Sequence, residues 1–196
     1  MRRKTILTAL AAVVLVLLVY RHWALTWGAT GEEVRRPMPG DEIVTCPTFI
    51  ATRAVSINAP PESVWPWIIQ MGYRRAGFYS YDRLDNDGIP SADRLLPEYQ
   101  QLKVGDEVPL SPAGRARVAV LEPNQVLVLH FEKFVPFTWT WLLERQPGGG
   151  TRLVARIRWR LILPRRLAMD VAEIWMMRKC MLGIRSRAES GAALGS

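Results

Sequence analysis

FTWTWLLERQPGGGTRLVARIRWRLIL, residues 137–163, is the stretch on which the fold turns. Its arms, Phe137 to Arg145 and Thr151 to Leu163, alternate with the two-residue period of a strand. Pro147-Gly148-Gly149-Gly150 between them has the composition of a hairpin turn. Trp139, Trp141 and Leu143 share one face of the first arm. Leu153, Ala155, Ile157, Trp159 and Leu161 form the inner face of the second. Arg156, Arg158 and Arg160 fall on the opposite face, which is expected to be solvated.

Downstream, Arg166 to Glu189 reads as a long helix. Its apolar stripe is Val171, Ile174, Met177, Met181, Ile184 and Ala188, at spacings of three and four. Residues 191–196 read as a tail. Upstream, Arg115 to Leu121 and Gln125 to Glu132 are strands divided by Glu122-Pro123-Asn124, and Glu107 to Leu110 is a short strand after Gly105-Asp106. Between Phe78 and Pro90 lies an aromatic stretch and then a polar loop. Further back, Thr52 to Asn58 alternates as a strand. A short helix, Ser63 to Met71, follows, limited or kinked by Pro66 and ended by Gly72.

The order is strand, short helix, several antiparallel strands, long helix. That is an α+β domain: a curved antiparallel sheet whose apolar face lies over the C-terminal helix, with room between them for a ligand cavity.

The N-terminus is different in kind. Ile6 to Tyr20 is almost continuously apolar, and Thr5 to Trp27 is long enough to span a bilayer if Arg21 snorkels. Tyr20, Trp23 and Trp27 would make its aromatic belt. A cleaved signal peptide shares the basic start and apolar middle, but bulky residues occupy the place of a small-x-small cleavage site. The run has no polar face, unlike a surface helix of a soluble domain. The expected division is an anchor at 1–27, a membrane-proximal arm at 28–50, the cavity domain at 51–190 and a tail at 191–196. Within the arm, Thr30 and Glu33 have the spacing of a helix capping box. Arg2, Arg3 and Lys4 favour keeping the N-terminal end inside the cell, which puts the domain of a single-pass membrane protein outside the cytoplasm.

The run Ala59-Pro60-Pro61-Glu62-Ser63-Val64-Trp65 resembles the opening shared across the SRPBCC superfamily, the START-like or polyketide cyclase/dehydrase-like proteins. Trp65-Pro66-Trp67-Ile68-Ile69-Gln70-Met71-Gly72 and Arg75-Ala76-Gly77-Phe78-Tyr79-Ser80-Tyr81-Asp82 are similar to a bacterial subgroup with N-terminal anchors. The resemblance implies a helix-grip fold with a hydrophobic cavity. It does not imply an activity, because the superfamily includes carriers, receptors and enzymes.

Formal net charge is +8, which suits an anionic partner such as lipid head groups. No nucleic-acid motif accompanies the arginines, so nucleic acid is not expected. Cys46 and Cys180 lack the pattern of a disulfide framework or thiolate metal site. No metal or cofactor motif and no catalytic motif is legible. The candidate ligand contacts are Trp67, Gln70 and Met71 on the short helix, Tyr79, Tyr81 and Asp82 in the loop, Trp139, Trp141 and Trp159 on the strands, and Met177 and Met181 on the long helix. Ordinary core packing competes for most of them.

Three readings follow. The first is a membrane-anchored binding domain for a hydrophobic small molecule or lipid. The second is a cyclase/dehydratase-like enzyme using Tyr79, Tyr81, Asp82 or His130. The third is a ligand-free interaction module presented near the membrane by the 28–50 arm.

Overall fold

The computed structural model describes residues 2–132, 136–161 and 163–193. Along the chain the helices are α1 (Arg2–Thr26), α2 (Gly31–Arg35), α3 (Pro61–Ile69), α4 (Asp82–Asp85) and α5 (Leu163–Ala193). The strands are β1 (Phe49–Ile57), β2 (Glu107–Pro109), β3 (Arg115–Glu122), β4 (Val126–Phe131), β5 (Phe137–Arg145) and β6 (Thr151–Trp159).

Two registers set the sheet. β5 pairs antiparallel with β6 from Phe137 opposite Trp159 to Arg145 opposite Thr151. β6 pairs in turn with β1, from Trp159 opposite Phe49 to Thr151 opposite Ile57. The full order is β1-β6-β5-β4-β3-β2, six strands, all antiparallel. α3 and α5 pack on one face, and the core between them includes Trp141, Leu143, Leu153, Ala155, Met177, Met181 and Ile184. The helical stripe is buried as its spacing requires, from Ile174 through Met177, Met181 and Ile184 to Ala188; the side chain of Val171 lies outside the described residues.

Element boundaries moved in physically simple ways. β6 stops at Trp159, and α5 begins at Leu163 with Pro164 in its first turn, where a missing N–H costs no hydrogen bond. α5 continues to Ala193, so residues 191–193 of the expected tail are helical, while 194–196 lie outside the described residues. The polar loop contains the one-turn helix α4, and a 3₁₀ turn at Pro97–Tyr99 had no sequence signal.

The solvated arginine face is overturned. The 28–45 segment lies across it as a strap. Thr30 and Glu33 form the capping box of α2: the Thr30 hydroxyl accepts from the Glu33 N–H at 3.2 Å, and the Glu33 carboxylate accepts from the Thr30 N–H at 2.6 Å. The Arg152 guanidinium donates to Glu33 at 2.7 Å and to the Gly28 carbonyl at 2.6 Å. This hydrogen bond from Arg152 holds the Glu33 carboxyl below its ordinary pKa, against the effect of burial. Arg156 is 3% exposed and donates to the Asp41 carboxylate at 2.7 Å, the Thr52 hydroxyl at 2.9 Å and the Glu33 carbonyl at 2.7 Å. Arg158 donates to the Val44 carbonyl at 3.0 Å, and only Arg160 of the three remains exposed. A guanidinium has five fixed donors, so it can satisfy the carbonyls of an irregular segment that has no strand to pair with. Gly28 admits this approach: at φ +71° it sits so close to β1 that a Cβ would fall 2.1 Å from the Ala54 carbonyl oxygen.

α1 is long and apolar enough to cross a membrane, and Ile6 to Val19 are exposed along it. Its last turns pack on β1 and α5. Arg53, on the inner face of β1, donates to the Ala24 carbonyl at 2.7 Å and pairs with Glu173 of α5 at 2.5 and 2.7 Å.

Arg156→Ala removes the closest cation from the Asp41 carboxylate and the guanidinium donors from the Glu33, Val34 and Arg36 carbonyls. It is expected to cost about 3 kcal/mol of unfolding free energy, read from urea denaturation. A change under about 0.5 kcal/mol would show that the strap is held elsewhere.

Candidate functional site

The sheet and α5 do not close completely. A cavity of about 300 Å³ remains between them. Its floor is Phe137 and Trp139 of β5 with Ile157 and Trp159 of β6. Glu173, Met176, Met177 and Cys180 of α5 form the roof. Phe78, Ser80, Asp85 and Leu110 close one side. The aromatic walls support one another: Phe137 and Trp159 have ring centroids 5.0 Å apart, and Phe78 and Trp139 are 6.2 Å apart.

The loop side is placed by a buried polar hub. Gln70 is fully buried at the end of α3. Its amide donates to the Tyr79 hydroxyl at 2.9 Å and accepts from the Leu96 N–H at 3.0 Å. The Tyr79 hydroxyl donates to the Trp67 carbonyl at 3.0 Å. Tyr79 itself has φ +56°, an uncommon conformation for a bulky residue. It is clamped against Gly183 of α5, where a Cβ would lie 2.6 Å from the Tyr79 carbonyl oxygen. Burial pushes the Tyr79 phenol pKa up, which keeps it a neutral hydrogen-bonding group.

Few polar groups border the cavity, and most are engaged. The Ser80 hydroxyl donates to the Met176 carbonyl at 3.1 Å. Glu173 holds Arg53, although burial drives its carboxyl pKa upward against that pull. The Cys180 thiol is buried, with its pKa raised by burial, and lies 3.8 Å from the Met71 sulfur. Asp85 differs. Neither carboxyl oxygen has a well-formed hydrogen bond among the described residues. Burial and then the Asp82 carboxylate raise its pKa, while the nearby Ser80 hydroxyl and Tyr81 N–H pull it partly back. The indole N–H groups of Trp139 and Trp159 are also buried without a partner among the described residues.

Of the contacts expected from sequence, Trp139, Trp159 and Met177 line the cavity. Trp67, Gln70 and Tyr79 belong to the hub beside it. Met71 faces a much smaller gap between α3 and the sheet, and Trp141 and Met181 are fully buried core. Tyr81 is 39% exposed with Lys179 over its ring, and Asp82 accepts from the Ser91 hydroxyl at 2.5 Å. These eight side chains are committed to packing or to local hydrogen bonds, which is why they are not among the cavity's lining. His130 lies on the far side of the sheet in a surface groove with Arg115, Arg117 and Glu132. Both cysteines are free, Cys46 exposed and Cys180 buried. No cluster of three or more metal-ligating side chains occurs among the described residues.

Phe137, Ile157, Glu173 and Cys180 also line the cavity and are not among the contacts expected from sequence. A signal was present. Phe137 and Ile157 share strand faces with Trp139 and Trp159, and Glu173 and Cys180 flank Met177 at helical spacing. A carboxylate inside an apolar stripe was the clue to Glu173.

No family model matches the chain, and no curated protein matches it. The likeness to solved structures is one of fold. A protein from Nitrosospira multiformis aligns over 74% of this chain and 99% of its own, with a TM-score of 0.50 and 12% identity. Ms6760 from Mycobacterium smegmatis covers 71% of this chain and 90% of its own at a TM-score of 0.49 and 14% identity. MLL2253 from Mesorhizobium loti covers 72% of this chain and 98% of its own at 0.48 and 14%. The first likeness shows a shared α+β fold and says nothing about activity.

Asp85 holds its proton more tightly folded than unfolded. The carboxyl's contribution to stability is therefore favourable at low pH. It is lost as pH rises from the ordinary carboxylate value through the raised one. Asp85→Asn removes the titration. The variant is expected to be more stable than the parent at neutral pH and equal to it in acid. Unfolding midpoints measured across pH check this; equal slopes for the two proteins would refute it.

Proposed function

We propose that this chain is a single-pass, membrane-anchored domain of the SRPBCC helix-grip type, which holds a hydrophobic small molecule or lipid between sheet and final helix. The observation that carries the reading is the cavity of about 300 Å³ with almost wholly apolar walls. That volume is at the lower end of the range for small-molecule sites. The motif resemblance at residues 59–82 and the shared fold support the same family reading. The α1 helix supports the anchor, and its basic start supports an extracytoplasmic domain.

Affinity in this reading comes from apolar surface removed from water, about 25 cal/mol per Å². Orientation comes from the few unpaired polar groups at the wall. Among the described residues Asp85 has no well-formed hydrogen bond and the indole N–H groups of Trp139 and Trp159 have no partner, and a ligand with one polar end would satisfy them. An anionic head-group surface is placed in the proposal near Arg178 and Lys179 of α5, because Arg152, Arg156 and Arg158 of the sheet are engaged by the strap.

The test is native mass spectrometry and solvent extraction of the full chain purified in mild detergent. Met176→Trp fills the cavity from its partly exposed roof. An apolar molecule is expected with the parent protein and lost from the variant, with the far-ultraviolet circular dichroism unchanged. A parent protein free of any such molecule, in membranes and after incubation with total lipid extract, would overturn the reading.

A second reading rests on Asp85 alone. A carboxyl with a raised pKa beside an apolar cavity is what a general acid needs, so a cyclase- or dehydratase-like reaction would use Asp85 and not Tyr79, Tyr81, Asp82 or His130. The two readings separate on one variant. Asp85→Asn should abolish turnover of an extracted ligand by the second reading. By the first, it should leave the ligand bound and unaltered.

A further inference from the structure

We infer that the side of the domain carrying Trp175 rests in the interfacial layer of the bilayer, so that the α5 wall of the cavity abuts the membrane. This rests on the membrane-anchor reading above and adds to it a docked orientation.

The end of α1 sets the depth of the domain. Its exposed apolar residues run to Val19, and the aromatic residues follow at once. Tyr20 and Trp23 have ring centroids 5.8 Å apart. Trp23 then meets Trp175 of α5 edge-on at 6.4 Å. Trp175 is 50% exposed, so this contact does not bury it. Tryptophan and tyrosine favour the depth of the head groups, where an apolar ring and a polar N–H or O–H are both accommodated. A ring touching Trp23 edge-on is carried to that same depth.

The domain has no freedom to lift away. Ala24 is fully buried, and its carbonyl accepts from Arg53 at 2.7 Å. Arg178 stacks over Trp27 at 5.3 Å, and the Trp27 carbonyl accepts from the Ala54 N–H at 3.1 Å. The helix therefore passes into the domain without a flexible joint. Glu173, Met176 and Met177 line the cavity within one turn of Trp175 on α5, at a rise of about 1.5 Å per residue. Membrane and cavity are separated by little more than the thickness of that helix. A ligand from the bilayer reaches the cavity past the half-buried Met176 without crossing bulk water.

The test uses the full chain in phosphatidylcholine liposomes, with the exposed Cys46 changed to Ser. An environment-sensitive NBD fluorophore is attached through Trp175→Cys and, separately, through Val104→Cys. Val104 is an exposed residue preceding β2 at the opposite edge of the sheet from β1. Lipid carrying a nitroxide near its head group should quench the label at position 175 at least roughly twofold more than the label at 104, with a blue-shifted emission. Flotation with the liposomes but equal quenching at both positions overturns the docked orientation and leaves the anchor standing. Failure to float overturns the anchor and the docking with it. Equal quenching together with a disulfide-linked dimer of the unlabelled Trp175→Cys variant would assign the Trp175 side of the domain to a second copy of the chain and also overturn the proposal.

Discussion

A guanidinium buried on the inner face of the sheet holds the structure together at its most demanding point. From the middle of β1, Arg53 reaches the end of α1 at Ala24 and the roof helix α5 at Glu173 in a single fork. Burying such a pair gains little net stability, because desolvation offsets most of the Coulomb attraction. Its value lies in registry. With Ala24 and Glu173 both tied to Arg53, α1 and α5 have one relative placement, and the cavity has a defined roof. Removing either charged partner would leave the other buried and uncompensated.

The sheet imposes the second constraint. Six antiparallel strands have two faces, and the packed helices cover only one. The outer face carries a row of arginines, and a charged face would ordinarily be left to water. Here the 28–45 strap covers it, using Asp41, Glu33 and its own carbonyls as acceptors. Polar side chains thus do on one face what apolar packing does on the other. The strap also leads from α1 to β1, so the cover and the connection are the same segment.

Between these layers the packing is incomplete where the aromatic floor meets the thioethers of α5. Gly183 lets α5 approach the loop at Tyr79 closely, while Met176, Met177 and Cys180 leave space over Trp139 and Trp159. Methionine fills irregular space loosely and can rearrange, which suits a site whose occupant is flexible. The hub at Gln70 explains why several suggestive polar residues are structural. A fully buried amide must satisfy its donors and acceptors locally, and it recruits Tyr79 to do so.

The sequence by itself determined the element order, the hairpin at 147–150, the buried stripe of α5, the capping box of Thr30 and Glu33, and the apolar span of α1. Each of these depends on local periodicity or local turn chemistry. Only the tertiary structure decided which face each arginine served, since alternation separates two faces without saying what covers them. It also separated Trp139 and Trp159, beside the void, from Trp141, deep in the core. All three obey the same period, and the difference between lining a space and filling one lies in what stands opposite across the layer.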